Sequence, residues 1–230
     1  MDATLIPDLG VMSRIDGLLA SVGPVAGLKV VDIGCGEGHV ARAFAEQGAT
    51  VIGYDPFIPP TDWIEAGDGK FRLAHGTADA IPEPDASADL VLFVFSLHHV
   101  PQHQLAGAMK EAKRLLKPDG KLCIAEPIAE GPNQYVMEVY HDETEVRRVA
   151  DEAMAAFAAP IFGSEKVIHY RERRVYPDFD AFSAVAIAGT RFNDYKVEDV
   201  LSPLVRRRFD EMYNICGGNF DQPIRLNIFA

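Results

Sequence analysis

The stretch VVDIGCGEGH, residues 30–39, decides the fold of this chain. A mostly apolar run that ends at Ile33 leads into three glycines at alternate positions, and a helix-forming segment, residues 37–47, follows at once. This order predicts a strand, a tight turn and a helix N-terminus, a geometry in which backbone N–H groups face a ligand. Glycines suit the turn because they permit positive φ and let a ligand approach the main chain. The turn alone leaves the identity of the ligand open.

Strands and helices alternate through residues 1–127. Buried strands are predicted at residues 28–33, 50–54, 71–74, 89–95 and 121–126. Helices are predicted at residues 8–21, 37–47, 61–66 and 102–116. This alternation predicts an α/β fold with a doubly wound, Rossmann-like, mostly parallel sheet that has helices on both faces.

Residues 128–230 have a different pattern. Helices are predicted at residues 137–159, 179–188 and 198–215, and strands at residues 166–176 and 223–229. The two strands would complete a seven-stranded sheet, and the helices after the fifth strand would form an insertion over its carboxyl edge. Because no Gly/Ser-rich linker is present, we predict a single domain over residues 1–230. Within it, residues 1–127 would form a cofactor-binding core, and residues 128–230 would face the substrate and complete the sheet.

Composition excludes several classes of protein. The chain has 230 residues, 48% of them hydrophobic, and a formal net charge of -12, which argues against a nucleic-acid partner because such sites need a basic surface. No apolar run is long enough for a membrane span, and the first residues lack the layout of a signal peptide. Three widely spaced cysteines indicate reduced thiols, with no disulfide framework and no metal site. We therefore expect a cytoplasmic protein.

Carboxylates stand at or just after the ends of the first three predicted strands, at the edge where open parallel sheets bind ligands. Asp32 is the last residue but one of the first strand, and Asp55 lies roughly 20 residues after the glycine turn, the offset of an acid that binds ribose hydroxyls. Asp79 follows the third strand. A nicotinamide site would have a third glycine where His39 stands, and a phosphate-binding P-loop is absent. The pattern suits an adenosine that carries an amino acid and no phosphate.

Five motifs between residues 30 and 127 together resemble the core of class I S-adenosylmethionine-dependent methyltransferases. They are DIGCGEG (32–38), Asp55, ADAIP (78–82), ADLV (88–91) leading to SLHHV (96–100), and RLLKPDGK (114–121). The resemblance is to the small-molecule branch, methyltransferase type 11, that includes ubiquinone and menaquinone biosynthesis methyltransferases. It implies S-adenosyl-L-methionine as cofactor and S-adenosyl-L-homocysteine as product.

By this resemblance, twelve residues would bind the cofactor. Asp32 would help to hold its ammonium group, Asp55 the ribose hydroxyls and Asp79 the adenine amino group, while the Ala80 N–H would donate to a ring nitrogen. The full set is Asp32, Gly34, Cys35, Gly36, Gly38, Asp55, Pro56, Phe57, Asp79, Ala80, Phe95 and Ser96.

Four residues are candidates for catalysis. His98 and His99 follow the fourth strand on the cofactor-facing edge and are the first candidates for a general base. Tyr135 and His141 lie after the fifth strand, where this fold places its substrate-facing insertion. An equally simple interpretation is that these side chains pack or cap neighbouring helices.

The predicted function is transfer of a methyl group to a small-molecule acceptor by in-line displacement. Alternatives are a protein or tRNA methyltransferase of the same fold and a non-catalytic regulatory protein that binds the cofactor. The acidic composition argues against tRNA as the acceptor. The acceptor and its reacting atom stay open, and either a monomer or a homodimer is compatible with the sequence.

Overall fold

The computed structural model describes residues 6–230. Residues 1–5, on which the prediction about a signal peptide rests in part, lie outside the described residues. The described strands form one sheet in the order β1-β8-β9-β7-β6-β2-β3-β5-β4. These strands are β1 (Asp8–Met12), β2 (Lys29–Ile33), β3 (Thr50–Asp55), β4 (Ile64–Ala66), β5 (Gly69–His75), β6 (Ala88–Val94), β7 (Leu116–Pro127), β8 (Glu165–Glu172) and β9 (Gln222–Phe229).

The sheet is mixed and has nine strands within residues 6–230, so the prediction of seven strands is wrong in number. The central strands β5, β3, β2, β6 and β7 are mutually parallel, whereas β9 runs antiparallel to both β7 and β8. The two additional strands lie at the edges, β1 beside β8 and β4 beside β5. The chain order reverses at β2, which lies between β6 and β3. The ligand crevice of such a sheet forms at this reversal.

Helices cover both faces of the sheet, as predicted. On one face, α3, α5 and α6 pack over the odd-numbered core residues of β2 and β6, such as Val31 and Phe93. On the other face, α1 and α2 pack over Val30 and Leu92. The described α-helices are α1 (Arg14–Val22), α2 (His39–Glu46), α3 (Leu105–Leu115), α4 (Gly131–Met137), α5 (Thr144–Ala153), α6 (Ala159–Ile161), α7 (Phe179–Ala188), α8 (Val197–Val200) and α9 (Pro203–Cys216).

Both edge strands were predicted as helices. Residues 8–12 have helical spacing of apolar side chains, yet they pair with β8 as β1, and the helix begins only after Ser13, whose side chain accepts from the Asp16 N–H. Gly10 has a φ of 82°, which a helix does not accommodate. At residues 61–66, a turn through Gly67 returns the chain so that Ala66 pairs with Gly69. Pairing with a neighbouring strand outweighed local propensity at both edges.

The two long helices predicted in the second half are interrupted. Residues 137–159 comprise the end of α4, a break before Thr144, the helix α5 and a π-helical turn, Met154–Ala158. Residues 198–215 are divided at Ser202, whose side chain caps the N-terminus of α9 ahead of Pro203. The helices α4, α7 and α9 share a separate apolar cluster that includes Phe182 and Phe209. No helix within residues 6–230 has the length and apolar character required to cross a bilayer.

Candidate functional site

The glycine turn lies between the end of β2 and the start of α2. Gly34, Gly36 and Gly38 all have positive φ, at 73°, 50° and 79°. A Cβ on Gly34 would lie 2.4 Å from the Cβ of Ser96, so only glycine fits there. A Cβ on Gly36 would meet no atom within 4 Å, so this side of the turn faces open space. The turn is a backbone-lined cradle with room for a ligand.

Asp32, two residues before this turn, is buried, and its carboxyl group lacks a hydrogen-bond partner at one oxygen among the described residues. The residue is 1% exposed, and its Oδ2 has no hydrogen-bond partner among the described residues. Burial, with a smaller contribution from the charge of Asp55, raises the pKa of Asp32 to about 7. A buried carboxyl group of this kind is stabilised by a ligand that brings a cation or a hydrogen-bond donor.

Asp55, at the end of β3, shapes the turn. One carboxylate oxygen accepts the Gly36 N–H at 3.0 Å, and the other accepts the Phe57 N–H at 2.9 Å. An ionised carboxylate has about four acceptor positions, so these two bonds leave capacity for ligand hydroxyls. Pro56 is half-buried, and the ring of Phe57 is 85% exposed beside it.

Asp79 and Ala80 follow β5 in a turn that faces α3. The Ala80 N–H donates to the carbonyl oxygen of Thr77 at 3.0 Å, so the group that the resemblance assigns to an adenine nitrogen has a partner within the turn. Asp79 is half-buried. A Cβ added to Gly107 of α3 would lie only 3.1 Å from the Cβ of Asp79. The close approach of α3 depends on that glycine.

These groups fit the S-adenosylmethionine that the resemblance implies. The unpartnered oxygen of Asp32 is suited to an ammonium group, the glycine cradle to a main-chain contact, and the free positions of Asp55 to a ribose. Cys35 lies within the turn, and burial raises the pKa of its thiol, so this group stays neutral.

Phe95 and Ser96 connect the glycine turn to a second polar cluster. Ser96 is buried, and its Oγ donates to the carbonyl oxygen of Ile33 at 2.6 Å. Phe95 has a φ of 56°, unusual for an aromatic residue, and the guanidinium of Arg14 lies 4.1 Å from the centroid of its ring. Strained backbone of this kind is common beside functional sites.

His98 is held between two carboxylates. Its Nδ1 is hydrogen-bonded to Glu126, and its Nε2 lies 3.4 Å from Oε1 of Glu143. Burial lowers the pKa of His98, but the two carboxylates outweigh burial and raise the pKa to about 9. His98 is therefore an imidazolium at neutral pH, and both ring nitrogens face acceptors.

Glu143 is the centre of the cluster. Its Oε1 lies 2.9 Å from Nε2 of His141, and its Oε2 accepts from the guanidinium of Arg147, which also donates to Gln134 at 2.9 Å. Burial would raise the pKa of Glu143, but bonds from His141 and His98 hold it well below its ordinary value. The carboxylate is therefore ionised and oriented by three neighbours.

His99 differs from His98 in its surroundings. Its side chain is half-exposed, and its ring centroid lies 4.1 Å from that of His98. Partial burial and the positive charge of His98 lower the pKa of His99, so the ring is neutral at pH 7. A neutral imidazole has one free acceptor nitrogen, which makes His99 the better candidate for a base.

A cavity of about 170 Å³ connects these groups. It begins at Phe95 and lies between the ends of β6, β7 and β9 and the loops around α4 and α8. Its lining residues are Phe95, His98, His99, Pro127, Asn133, Met137, His141, Glu143, Arg147, Arg174, Asn193, Tyr195 and Gln222.

Three of the four catalytic candidates, His98, His99 and His141, line this cavity, whereas Tyr135 does not. The hydroxyl of Tyr135 donates to Glu211 at 2.9 Å, and Arg208 covers its ring at 4.5 Å. The sequence predicts Glu126 at the end of the fifth strand and Glu143, with Tyr135, Tyr140 and His141, in the segment that could face the substrate. It does not indicate that either carboxylate bonds to His98, and Arg147 carries no sequence signal.

Three of these groups have the chemistry of metal ligands, although the sequence predicted no metal site. The ligand atoms of His98, His99 and Glu143 all lie within 4.8 Å of one another. Arg147 and His141 already bond to both oxygens of Glu143, and Glu126 bonds to His98. We therefore describe the cluster as an ion-pair network.

A protein-family model described as a methyltransferase domain matches residues 31–124. A demethylmenaquinone methyltransferase of Tropheryma whipplei is 37% identical over 111 residues, which cover 46% of this chain and 44% of the relative. A ubiquinone biosynthesis O-methyltransferase of Leptothrix cholodnii is 28% identical over 132 residues, 55% of each chain. The chain thus spans about half the length of the curated relatives it matches.

A likeness to solved structures extends over most of the chain. A protein of Anabaena variabilis from an antibiotic biosynthesis pathway has a TM-score of 0.60 at 17% identity, over 94% of this chain and 96% of that one. At this identity the likeness shows a shared fold. The fold therefore includes residues 128–230, which the family model does not match.

Proposed function

We propose that this chain, whose residues 31–124 match a methyltransferase domain model, transfers a methyl group from S-adenosylmethionine to a small-molecule acceptor. One observation carries the proposal: the buried carboxyl of Asp32, unpartnered at Oδ2 among the described residues, lies beside the glycine cradle. Asp55 ends the neighbouring strand β3, so two carboxylates and a backbone cradle meet at one edge of the sheet.

When bound, the cofactor supplies a sulfonium methyl group that moves by in-line displacement and leaves S-adenosylhomocysteine. Asp32 would hold its ammonium group, Asp55 its ribose and Asp79 its adenine amino group. Pro56 and Phe57 would lie against the adenine.

His99 would act as the general base when the acceptor arrives as a hydroxyl. Its neutral imidazole lines the cavity and can accept a proton, whereas His98 is already protonated. His98 would position the neighbouring ring and keep the pKa of His99 low. His141, whose Nε2 lies 2.9 Å from Oε1 of Glu143, is the second candidate for proton transfer.

The names of two relatives support a small-molecule acceptor, since both refer to quinones. The formal net charge of -12 argues against tRNA. We also propose that the chain is a single domain and that residues 128–230 face the acceptor. The strands β8 and β9, which come from this region, belong to the same sheet as the other strands and support a single domain. A cytoplasmic location and a monomer or homodimer also stay predictions.

Titration calorimetry with S-adenosylmethionine and S-adenosylhomocysteine tests the proposal. We expect dissociation constants in the micromolar range or tighter, on the order of -8 kcal/mol. Absence of binding would overturn the proposed function. Binding without turnover, across small acceptors, peptides and tRNA, would instead favour a non-catalytic binding protein, and turnover of a peptide or tRNA alone would favour a macromolecular acceptor.

Replacing Asp55 by alanine should weaken the binding of S-adenosylhomocysteine by about 1.5–3 kcal/mol. The change removes charge-assisted hydrogen bonds to the ribose and also the bonds that hold Gly36 and Phe57. Calorimetry measures the loss, and Asp62→Ala, an exposed acid in the following loop, is the matched control. Equal affinities of the two variants would show that Asp55 does not bind the cofactor.

Cofactor binding should become stronger as the pH rises to about 7 and then level off. Below its pKa of about 7, Asp32 is neutral in the free protein, and binding of an ammonium group requires the ionised form, so a proton is released. Calorimetry at about pH 6 in two buffers with different ionisation enthalpies should detect this proton. Asp32→Asn should abolish the release. Binding of wild type without proton release would contradict the assignment of Asp32.

A further inference from the structure

We propose that residues 189–196, which connect α7 to α8, form a strap over the site, and that an ion pair between Arg191 and Glu37 holds this strap closed on the glycine turn. Opening of the strap sets the rate at which the cofactor is exchanged. The inference rests on the proposed function, because it takes the glycine turn as the cofactor site. It assigns a role to a segment that the methyltransferase domain model does not match.

The strap reaches both parts of the site. Arg191 pairs with Glu37, which belongs to the glycine turn at residues 34–38. Asn193 and Tyr195 line the cavity that contains the candidate bases. One short segment therefore contacts the proposed cofactor cradle and also forms part of the wall of the proposed acceptor cavity.

The strap has few contacts that hold it in place. None of its eight residues is buried. Among the hydrogen bonds and ion pairs within residues 6–230, only the pair between Arg191 and Glu37 joins the strap to a residue outside the segment 186–199. Segments with little buried surface and few external bonds are the ones that open most readily in a folded protein.

The strap keeps its own shape through bonds within the segment 186–199. The Tyr195 hydroxyl donates to the carbonyl oxygen of Ala186 at 2.8 Å, and the side chain of Asn193 donates to the carbonyl oxygen of Gly189 at 2.9 Å. A Cβ on Gly189 would lie 2.3 Å from the Tyr195 hydroxyl oxygen, so the close approach of this side chain depends on glycine. The strap can therefore leave the glycine turn as a unit without losing these bonds.

Opening breaks two weak contacts. The first is the ion pair of Arg191 and Glu37, whose side chains are 59% and 47% exposed. The second is the packing of the Tyr195 ring, whose centroid lies 4.9 Å from those of Tyr140 and His141. An ion pair with this exposure shifts an equilibrium by up to about fivefold and is screened by salt. The strap is thus held closed by contacts that thermal motion can break.

A strap that closes over the site has a kinetic signature. While closed, it keeps water from the site, and it must open before the cofactor can enter or leave. The ion pair is a contact between two protein side chains, so breaking it favours the open strap without removing a contact to the cofactor. Association and dissociation of the cofactor should then accelerate by the same factor, and the dissociation constant should stay the same.

Arg191→Gln tests this signature. Surface plasmon resonance with S-adenosylhomocysteine as the probe gives both rate constants. We expect each to rise about threefold at low salt, and the difference from wild type to vanish near about 1 M salt, where exposed charges are screened. The matched control is Arg206→Gln, which removes a similarly exposed arginine that pairs with Asp180 at 3.8 Å, away from the strap. Both rate constants of this control should equal those of wild type.

Charge exchange connects the effect to the ion pair itself. Glu37→Gln should accelerate exchange as Arg191→Gln does, and the variant with both changes should be no faster than either alone. Arg191→Glu places two carboxylates opposite each other and should be faster still. Combining Arg191→Glu with Glu37→Arg restores opposite charges and should return both rate constants toward those of wild type.

Three outcomes would overturn the inference. The first is unchanged rate constants in Arg191→Gln. The second is faster dissociation alone, with weaker affinity, which would make Arg191 a contact of the cofactor. The third is independent effects of Arg191→Gln and Glu37→Gln that multiply in the double variant. In each case S-adenosylhomocysteine still binds, so the proposed function stands. A protein that binds no S-adenosylhomocysteine overturns the proposed function itself, and this inference with it.

Discussion

Glu126→Gln is expected to lower the free energy of unfolding at pH 7 by about 3 kcal/mol, the cost of breaking a buried ion pair. Glu126 bonds to His98, and both side chains are almost fully buried, at 3% and 2% exposed. The other oxygen of Glu126 accepts the Leu97 N–H at 2.9 Å. The substitution keeps the shape of the side chain but removes the charge that stabilises the imidazolium. Urea denaturation measures the loss.

The pH dependence of this loss identifies the ion pair as its cause. The pKa of His98 is raised from 6.5 to about 9 in the folded protein, so its stabilisation is complete below pH 6.5 and is lost as the pH rises through about 9. The difference between wild type and Glu126→Gln should therefore shrink toward about pH 10. Glu65→Gln, an exposed acid on β4, should change stability little at any pH. A difference that stays constant with pH would contradict a charged His98.

Replacement of His99 by alanine should lower kcat by about 10²–10⁴-fold, the usual contribution of a general base. The acceptor for this measurement is whichever small molecule the turnover screen identifies, and release of S-adenosylhomocysteine is the signal. His103→Ala is the matched control because this histidine is exposed in the next turn. Affinity for S-adenosylhomocysteine should not change in either variant.

The pH profile separates a base from a residue that only supports the structure. Because the pKa of His99 is lowered, kcat of the wild type should rise below pH 6.5 and reach a plateau near neutral pH. That rise should be absent in His99→Ala. An unchanged profile, or activity lost on chelation and restored by a divalent metal, would assign the cluster of His98, His99 and Glu143 to different chemistry.

On the proposed cofactor side of the sheet, the strand, the glycine turn and the helix could be predicted from sequence because their signals are local. One short stretch contains Ile33, the three glycines and the start of α2. The residue types in this stretch are those that general rules about turns and helix ends associate with a ligand-binding turn. Asp55 follows at the expected distance along the chain. Even here, the Ala80 N–H already has a partner, which no sequence rule indicates.

On the proposed acceptor side, His98, His99 and His141 were candidates from sequence, but their partners could not be predicted because the contacts are distant in sequence. His98 follows β6, Glu126 ends β7, Glu143 precedes α5 and Arg174 follows β8, so tertiary structure alone brings them together. None of them occurs in a periodic pattern. The same reasoning applies to β1, whose apolar residues have helical spacing but gain more from pairing with β8.

The position of β9 has a consequence for the order in which the protein folds. Among the described strands, β9 alone joins β8 and β1 to the rest of the sheet, and it is the last to leave the ribosome. Until β9 inserts, β7 has an unpaired edge, which exposes backbone groups to aggregation. The parallel strands of the cofactor side can assemble earlier, but Gln222 reaches the cavity only with β9. During synthesis, the proposed cofactor half of the site can therefore form before the proposed acceptor half.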